Sequence, residues 1–271
     1  MKVLLLSLFH PELVRGGAQQ ICYELFEGLK ERDGIEPVLL CAIEPRFTAL
    51  YKSGARITGF DNRPNEYVFL NRDYDYVWNK AANPQLIEAY AEFLEMVRPD
   101  VVHFHHFLLF GINLLPLTRR ILPDAKLVFT FHEFLSICAA DGQMVRRTDR
   151  SLCSSASGVR CHQCLPDRSP DFFFLREMWM KKHLDAVDVF TTPTRFMVEH
   201  YADGDVFDSS LEPGWAPMSA SGLAQWGPPA TADFLGTRPS PSLVKAAVEA
   251  LREDNELDRA RLMGLMKAMK S

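Results

Sequence analysis

Short, uninterrupted apolar runs alternate with amphipathic stretches over residues 1–202, and this alternation limits the fold more than any other feature. The first run, Lys2–Leu8 (KVLLLSL), lacks the polar alternation of a strand that faces water on one side. Such a run is typical of a strand buried on both faces, as in a parallel sheet. Residues 21–29 then carry apolar side chains at helical spacing, and Glu36–Ala42 supplies the next apolar run. This strand–helix–strand unit predicts an α/β protein with a doubly wound, Rossmann-like parallel sheet.

The same rhythm predicts the remaining elements. Further strands are predicted at residues 56–60, 99–104, 126–131 and 187–192, and further helices at 84–97, 108–121, 172–184 and 195–201. Pro116 lies inside the helix predicted at 108–121 and is expected to kink or divide it. Residues 62–83 are polar and aromatic, and they are predicted as a loop with some helix.

The rhythm then stops. Residues 203–241 are rich in Gly, Pro, Ser and Ala without a sustained period, which predicts an irregular linker. Residues 242–271 show helical spacing again and are predicted to form a helical tail. The expected organisation is one Rossmann-like domain at 1–202 with a cysteine-rich insertion at 133–169, followed by the linker and the tail.

Charge and hydropathy exclude several classes of protein. The formal net charge is −5, which disfavours a dedicated nucleic-acid-binding protein, because such proteins need a basic face to meet phosphates. No uninterrupted apolar run reaches the roughly 20 residues that span a bilayer. The opening run MKVLLLSL ends at FHPE, so no secretion signal is predicted and a cytoplasmic location is expected.

A pair of glycines opens the first helix. Gly16 and Gly17 follow the first predicted strand. Glycine lets a backbone approach a ligand closely, and a helix N-terminus offers free N–H groups and a partial positive charge. A phosphate or a sugar hydroxyl would fit there. A tight turn explains the pair equally well, because the segment does not match the GxGxxG dinucleotide-binding pattern.

Histidines end two neighbouring predicted strands. His103, His105 and His106 close one strand, and His132 with Glu133 closes the next. Ligand sites in open α/β sheets lie at the carboxyl ends of strands, so both groups point to one shared cleft. Each histidine alone is more simply a satisfied core residue than a ligand. In an extended segment His103 and His105 share one face, whereas His106 points to the other.

Four of the six cysteines lie in or beside the insertion at 133–169. Their spacing, Cys138-x14-Cys153-x7-Cys161-x2-Cys164, is typical of a structural zinc site. The intervening loop has little apolar content, so a bound zinc would supply stability that it otherwise lacks. Free or partly oxidised thiols, an iron–sulfur cluster, and His162 in place of one thiolate remain open. A thioredoxin-like redox pair is disfavoured, because Cys161 does not follow a strand and open a helix.

The segment 171–182 (DFFFLREMWMKK) is strongly apolar with a basic end. Packing of a helix against the sheet is the favoured interpretation. A helix on the inner face of the membrane and an apolar acceptor groove are the alternatives.

The ordered set of motifs resembles the N-terminal, acceptor-binding domain of family 4 glycosyltransferases, which have the two-domain GT-B fold. The motifs are MKVLLLS…GGAQQ, PDVVHFHH, KLVFTFHEF, C…DG…LC…RCHQCL and DVFTTPTRFMVEHY, and together they cover about residues 1–202. The cysteine insertion is similar to that of a subset of these enzymes.

The resemblance implies an activity and a set of roles. In the family, the N-terminal domain binds the acceptor, the C-terminal domain binds a nucleotide-sugar, and the sugar is transferred with retention. The implied acceptor is a glycan or a lipid-linked saccharide of cell-surface polysaccharide synthesis. His132 is the implied catalytic residue at the reacting centre. The other implied contacts to donor or acceptor are Gly16, Gly17, His105, His106, Glu133 and Thr194.

The sequence departs from the family after residue 202. The family's donor domain carries a Glu-x7-Glu motif, but the position eight residues after Glu249 is Leu257. The donor domain is therefore expected to be missing, with a partner chain as its source, and activity of the chain alone is expected to be weak or absent. A non-catalytic glycan-binding or assembly module, or the acceptor half of a split enzyme, is the alternative.

Overall fold

The computed structural model describes residues 1–50, 55–203 and 216–217. The linker predicted at 203–241 and the tail predicted at 242–271 therefore lie almost wholly outside the described residues and stay predictions. None of the described helices is long and apolar enough to cross a membrane.

The described part of the chain contains ten strands, six α-helices and one 3-10 helix. The strands are β1 (Lys2–Ser7), β2 (Glu36–Ile43), β3 (Ile57–Gly59), β4 (Glu66–Leu70), β5 (Tyr74–Asp75), β6 (Lys80–Ala81), β7 (Val101–Phe104), β8 (Lys126–Thr130), β9 (Val189–Thr192) and β10 (Ala216–Pro217). The helices are α1 (Gly17–Lys30), α2 (Pro84–Val97), α3 (Leu114–Ile121), α4 (Gly158–Cys164), α5 (Pro170–Leu184) and α6 (Arg195–Asp203), and a 3-10 helix covers Pro45–Leu50.

One sheet organises the domain. Within the described residues it has eight strands in the order β10-β9-β8-β7-β1-β2-β4-β3, and every pairing is parallel except β3 with β4. The chain builds outward from β1 to β4 on one side and then returns to place β7 against the other side of β1. This order confirms the predicted doubly wound α/β class.

The centre of the sheet is buried on both faces. Leu4, Leu5 and Leu6 are all 0% exposed, as the unbroken apolar run predicts. Burial of each such side chain contributes about 1.5–3 kcal/mol. The sheet is therefore a rigid support for whatever follows its strands.

Helix boundaries follow the capping residues. The Asn83 side chain accepts a hydrogen bond from the Leu86 N–H, and Pro84 occupies the first helical position, so α2 covers the predicted span. Ser169 and Pro170 have the same roles in α5, which therefore begins two residues before the predicted start at 172.

The helix predicted at 108–121 is wrong in its first half. Leu109 and Gly111 adopt positive φ angles of 64° and 105°, which an α-helix cannot contain. At Gly111 a Cβ atom would lie 2.2 Å from the Ala81 backbone nitrogen, so this close approach needs glycine. The helix begins only at Leu114, and Pro116 stands in its first turn, where proline causes no kink.

The loop predicted at 62–83 is also wrong, because it contains β4 of the main sheet and the small β5–β6 hairpin. The strand starts with a buried glutamate, Glu66, which is 3% exposed. Its carboxylate lies 2.9 Å from Nε2 of His10, 3.6 Å from Nζ of Lys30 and 3.8 Å from Nη1 of Arg63. These partners compensate the buried charge of Glu66, and the remaining residues of β4, Tyr67–Leu70, have the high strand propensity that the prediction overlooked.

Candidate functional site

The carboxyl ends of β1, β7, β8 and β9 meet at one edge of the sheet, because these strands are parallel neighbours. The strand order reverses between β1 and β7, which makes their ends the switch point of the doubly wound sheet. Ligands of open α/β folds bind in the crevice outside this point. The predicted site residues follow these strands, so the candidate site lies at this edge.

One face of this edge carries a chain of polar side chains. The register pairs His103 with Val128, so alternate residues His103, His105, Thr130 and His132 share a face. Nε2 of His103 lies 2.7 Å from Oγ1 of Thr130, and Nδ1 of His105 lies 3.1 Å from Nε2 of His132. Oγ1 of Thr130 in turn lies 2.6 Å from Oγ1 of Thr191 on β9. The structure thus joins two of the predicted histidines directly.

The opposite face brings His106 and Glu133 together. Nδ1 of His106 accepts a hydrogen bond from the Leu108 N–H at 2.9 Å, so the neutral ring carries its proton on Nε2. This Nε2 lies 3.6 Å from Oε1 of Glu133, which is too long for a hydrogen bond. Oε2 of Glu133 accepts from the N–H of Leu135.

The cluster is uncharged near neutral pH. Burial lowers the pKa of His103 and His106 to about 3 and that of His132 to about 4, and it lowers the pKa of His105 well below its ordinary value. Burial raises the pKa of Glu133 to about 8, against the weaker effects of the Leu135 N–H and the Arg176 charge. Neutral imidazoles and a protonated carboxyl can both donate hydrogen bonds to hydroxyl groups and accept hydrogen bonds from them.

Two residues that the sequence analysis missed hold the loop after β8. Nη1 and Nη2 of Arg176 on α5 donate to the carbonyls of Ser136 and Leu135 at 3.1 and 2.5 Å. The Tyr201 hydroxyl on α6 donates to the Glu133 carbonyl at 2.6 Å. For Arg176 the sequence offers one signal, an arginine among apolar residues of a predicted helix. The Arg176 side chain is 4% exposed in the structure. These bonds fix the backbone that carries His132 and Glu133.

The remaining predicted contacts stand apart from the histidines. Gly16 is the N-cap of α1 with an extended backbone, and Gly17 is the first helical residue. Thr194 is exposed, and its Oγ1 accepts from the Met197 N–H at 3.3 Å at the start of α6. Across the described ranges, no hydrogen bond joins these three residues to the imidazoles. They share the sheet edge with the cluster but do not belong to it.

The four insertion cysteines converge on one cavity of about 280 Å³, lined by Cys138, Cys153, Cys161 and Cys164 with Arg146 and Arg160 at its wall. The Arg147 N–H donates to Sγ of Cys164 at 3.2 Å. Within the described part of the chain, however, no three His, Cys, Asp or Glu side chains are grouped to hold a metal ion. The spacing thus predicts the shared cavity, while the geometry does not support a preformed zinc site.

Helix α5 is only partly a core helix. Phe173, Met180 and Leu184 are buried against the domain, as the favoured interpretation of this segment predicts. Phe174 and Met178 on the opposite face are 59% and 52% exposed. Together with Leu175 and Trp78, Met178 lines an open groove of about 520 Å³, whose lining also includes Lys181, Lys182 and Asp185. Within the described part of the chain, this face of α5 therefore exposes apolar side chains to solvent.

Comparison with known families decides the assignment. The model of Glycosyltransferase Family 4 matches residues 15–209, which is more than half of the chain. The chain belongs to this family. The match includes every predicted site residue and confirms the family that the motifs resemble, although the opening MKVLLLS precedes the matched residues.

No curated protein matches the sequence, but solved structures of low identity do. Its fold is similar to the Candida albicans trehalose-6-phosphate phosphatase N-terminal domain, with 16% identity over 74% of this chain and 42% of that chain and a TM-score of 0.41. It is also similar to UDP-GlcNAc 2-epimerase from Neisseria meningitidis bound to UDP-GlcNAc, with 13% identity over 95% of this chain and 54% of that chain and a TM-score of 0.37. For OtsA in its apo form, the identity is 11% over 87% of this chain and 55% of that chain, and the TM-score is 0.42.

The family 4 chain therefore spans about half the length of the solved structures that it matches. At this level of identity, these structures assign neither a substrate nor a reaction to it.

Proposed function

We propose that the described domain is the acceptor-binding unit of a retaining glycosyltransferase. It would bind a glycan or lipid-linked saccharide of cell-surface polysaccharide synthesis, and a nucleotide-sugar would donate the sugar that is transferred to this acceptor. The observation that carries this proposal is the uncharged cluster of His105, His106, His132 and Glu133 at the switch point of a family 4 domain. Sugars present neutral hydroxyl groups, and such a cluster can bond to them without an ionic partner.

Each group has a definite task in the proposed reaction. His132 would contact a sugar hydroxyl at the reacting centre, and His106 and Glu133 would hold the acceptor. These contacts align the acceptor hydroxyl with the anomeric carbon of the donor, which is where positioning lowers the barrier most. The glycine turn at Gly16 and Gly17, with the free N–H groups of α1, would face the departing diphosphate.

The test is sugar transfer by the purified chain with a panel of nucleotide-sugars and glycan acceptors. We expect weak or no turnover by the chain alone and turnover when a donor-binding partner chain is added. His132→Ala should abolish the restored turnover, whereas His183→Ala, which removes a histidine on α5 away from this edge, should not. Robust turnover by the chain alone would contradict the incomplete-enzyme part of the proposal.

The rival function is a non-catalytic glycan-binding or assembly module, and the same uncharged cluster favours it. Titration calorimetry with glycans distinguishes the two. If the protein is a binding module, it should bind glycan without a partner chain. Sugar transfer should then be absent with every nucleotide-sugar, with or without an added chain. Retention of DNA or RNA at low salt would contradict both functions.

We further propose that a Zn²⁺ ion draws the four insertion thiols together. Their shared cavity, their spacing and the Arg147 N–H that donates to Sγ of Cys164 support this. Because no ready-made ligand set exists in the described residues, binding requires the thiols to move closer. Metal analysis of protein purified without chelator should find about one equivalent of zinc. Less than about half an equivalent of zinc would contradict the proposed zinc site.

We also propose a location in the cytoplasm at the inner face of the membrane, and the exposed side of α5 supports the contact with the membrane. Phe174, Leu175 and Met178 would enter the lipid boundary, with Lys181 and Lys182 at the headgroups. Flotation with vesicles should capture the wild type, and the triple serine variant of the three apolar residues should stay behind. Equal flotation of both proteins would contradict this location.

A further inference from the structure

His105 carries a polar atom that the fold leaves without a partner. Its side chain is 1% exposed, and its backbone N–H continues the sheet by donating to the Leu6 carbonyl at 2.9 Å. Nδ1 faces Nε2 of His132. In the described parts of the chain, Nε2 of His105 is the one buried side-chain nitrogen or oxygen with no hydrogen-bond partner. Such an orphaned atom is rare and needs an explanation.

The contact between the two rings requires one proton. Both imidazoles are neutral near pH 7, because burial lowers the pKa of each. Either His105 donates its Nδ1–H to Nε2 of His132, or His132 donates its Nε2–H to Nδ1 of His105. The first arrangement places the proton of His132 on Nδ1, and the second places the proton of His105 on Nε2.

The burial of His105 discriminates between these arrangements. In the second, its Nε2–H is a buried donor with no acceptor, which folded proteins rarely tolerate. In the first, the same nitrogen carries only a lone pair and leaves no donor unpaired. The first arrangement is therefore the more stable.

The far nitrogen of His132 is open to a ligand. Among the residues that the structure describes, Nδ1 of His132 has no hydrogen-bond partner, and this atom is not fully buried. It is therefore accessible, whereas Nε2 is occupied by His105. His132 can therefore form a hydrogen bond to a ligand only through Nδ1.

We propose that His105 is a positioning residue that sets the tautomer of His132, so that His132 presents an Nδ1–H donor at the sheet edge. A donor in this position selects an oxygen lone pair, such as that of a sugar hydroxyl, and rejects a second N–H donor. The identity of the ligand rests on the proposed function, whereas the tautomer rests on the two rings alone.

The test is nitrogen NMR of the full chain with ¹⁵N-labelled histidine at pH 7.5, with His132 assigned by the signal that His132→Ala loses. We expect the wild type to show a protonated Nδ1 and a bare Nε2 at His132. In His105→Phe the partner of Nε2 is lost, and the proton of His132 should divide between both nitrogens. His105→Asn keeps a side-chain N–H near the position of Nδ1 and should restore the wild-type pattern.

The control is His103→Asn, which removes the neighbouring ring but not the contact to His132. It should leave the His132 signals unchanged. A wild-type His132 protonated at Nε2 overturns the proposal, as does a His105→Phe protein with the wild-type pattern. If His105→Phe fails to fold, as judged by circular dichroism, the wild-type spectrum alone decides.

The same measurements separate this inference from the proposed function. A protonated Nδ1 in a protein that neither transfers sugar nor binds glycan upholds the role of His105 and rejects the function. An Nε2-protonated His132 in an active enzyme does the reverse.

Discussion

The carboxyl of Glu133 makes the stability of the domain depend on pH in a way that one substitution removes. Its pKa is raised from 4.5 to about 8 by burial, so the folded protein binds this proton more tightly than the unfolded chain. The resulting stabilisation is fully present below pH 4.5 and is lost as the pH rises towards 8. Glu133→Gln keeps the shape of the side chain but cannot ionise, so its stability lacks this dependence.

The magnitude follows from the interval between the two pKa values. From 4.5 to 8, a cost of 1.36 kcal/mol for each pH unit gives about 5 kcal/mol in total. Part of this loss has already occurred at pH 6.5, and the side chain is 26% exposed, so water screens the buried charge. We therefore compare the free energies of unfolding of Glu133→Gln and the wild type at each pH. The difference, variant minus wild type, should increase by roughly 1–2 kcal/mol from pH 6.5 to 8.5.

Urea unfolding at pH 6.5, 7.5 and 8.5, followed by tryptophan fluorescence, measures this difference. The buried histidines have lowered pKa values, so their contributions are lost as the pH falls below 6.5, and they cancel between the two proteins. Glu92→Gln, an exposed substitution on α2, is the matched control and should follow the wild type at each pH. A pH-independent difference between Glu133→Gln and the wild type would refute the argument that the carboxyl is protonated.

Three further substitutions test the support of the loop after β8. Arg176→Met leaves two loop carbonyls without donors and should lower the free energy of unfolding by about 2–4 kcal/mol; an unchanged urea midpoint would show that water replaces the guanidinium. Tyr201→Phe loses the bond to the Glu133 carbonyl and should cost about 1–2 kcal/mol by the same assay, whereas no loss would mean this bond is dispensable. Gly142→Ala adds a Cβ 2.8 Å from the Leu135 backbone nitrogen at a φ of 67° and should lower the melting temperature by several degrees; a melting temperature at or above that of the wild type contradicts this strain.

The sequence predicts the central strands well, because burial on both faces leaves a clear apolar run in β1, β2 and β8. It fails at β4, since a strand that begins with the buried Glu66 depends on His10 and Lys30 from distant segments. It fails at the start of α3 for a different reason. The positive φ angles of Leu109 and Gly111 respond to the hairpin that packs beside them, and apolar spacing does not encode this contact.

The sequence predicts the position of the candidate site at the sheet edge, but it does not predict the hydrogen bonds between the site residues. Strand ends that carry histidines indicate a shared edge, and alternation indicates that His103 and His105 lie on one face. The contact of His105 with His132 depends on the register between β7 and β8, which one chain alone does not reveal. Arg176 was missed because a charged residue within an apolar helix usually faces water, whereas this one reaches back to the loop carbonyls.

The direction of β10 has a consequence for how a second unit could reach the candidate site. Ala216–Pro217 runs parallel to β9, so its carboxyl end lies at the same sheet edge as His132. The polypeptide that continues from Pro217 thus starts beside the edge where a donor would have to arrive. Covalent attachment at this point would give a donor-binding unit a high effective concentration over the site even with a short linker. A separate partner chain would lack this advantage and would have to replace it with affinity.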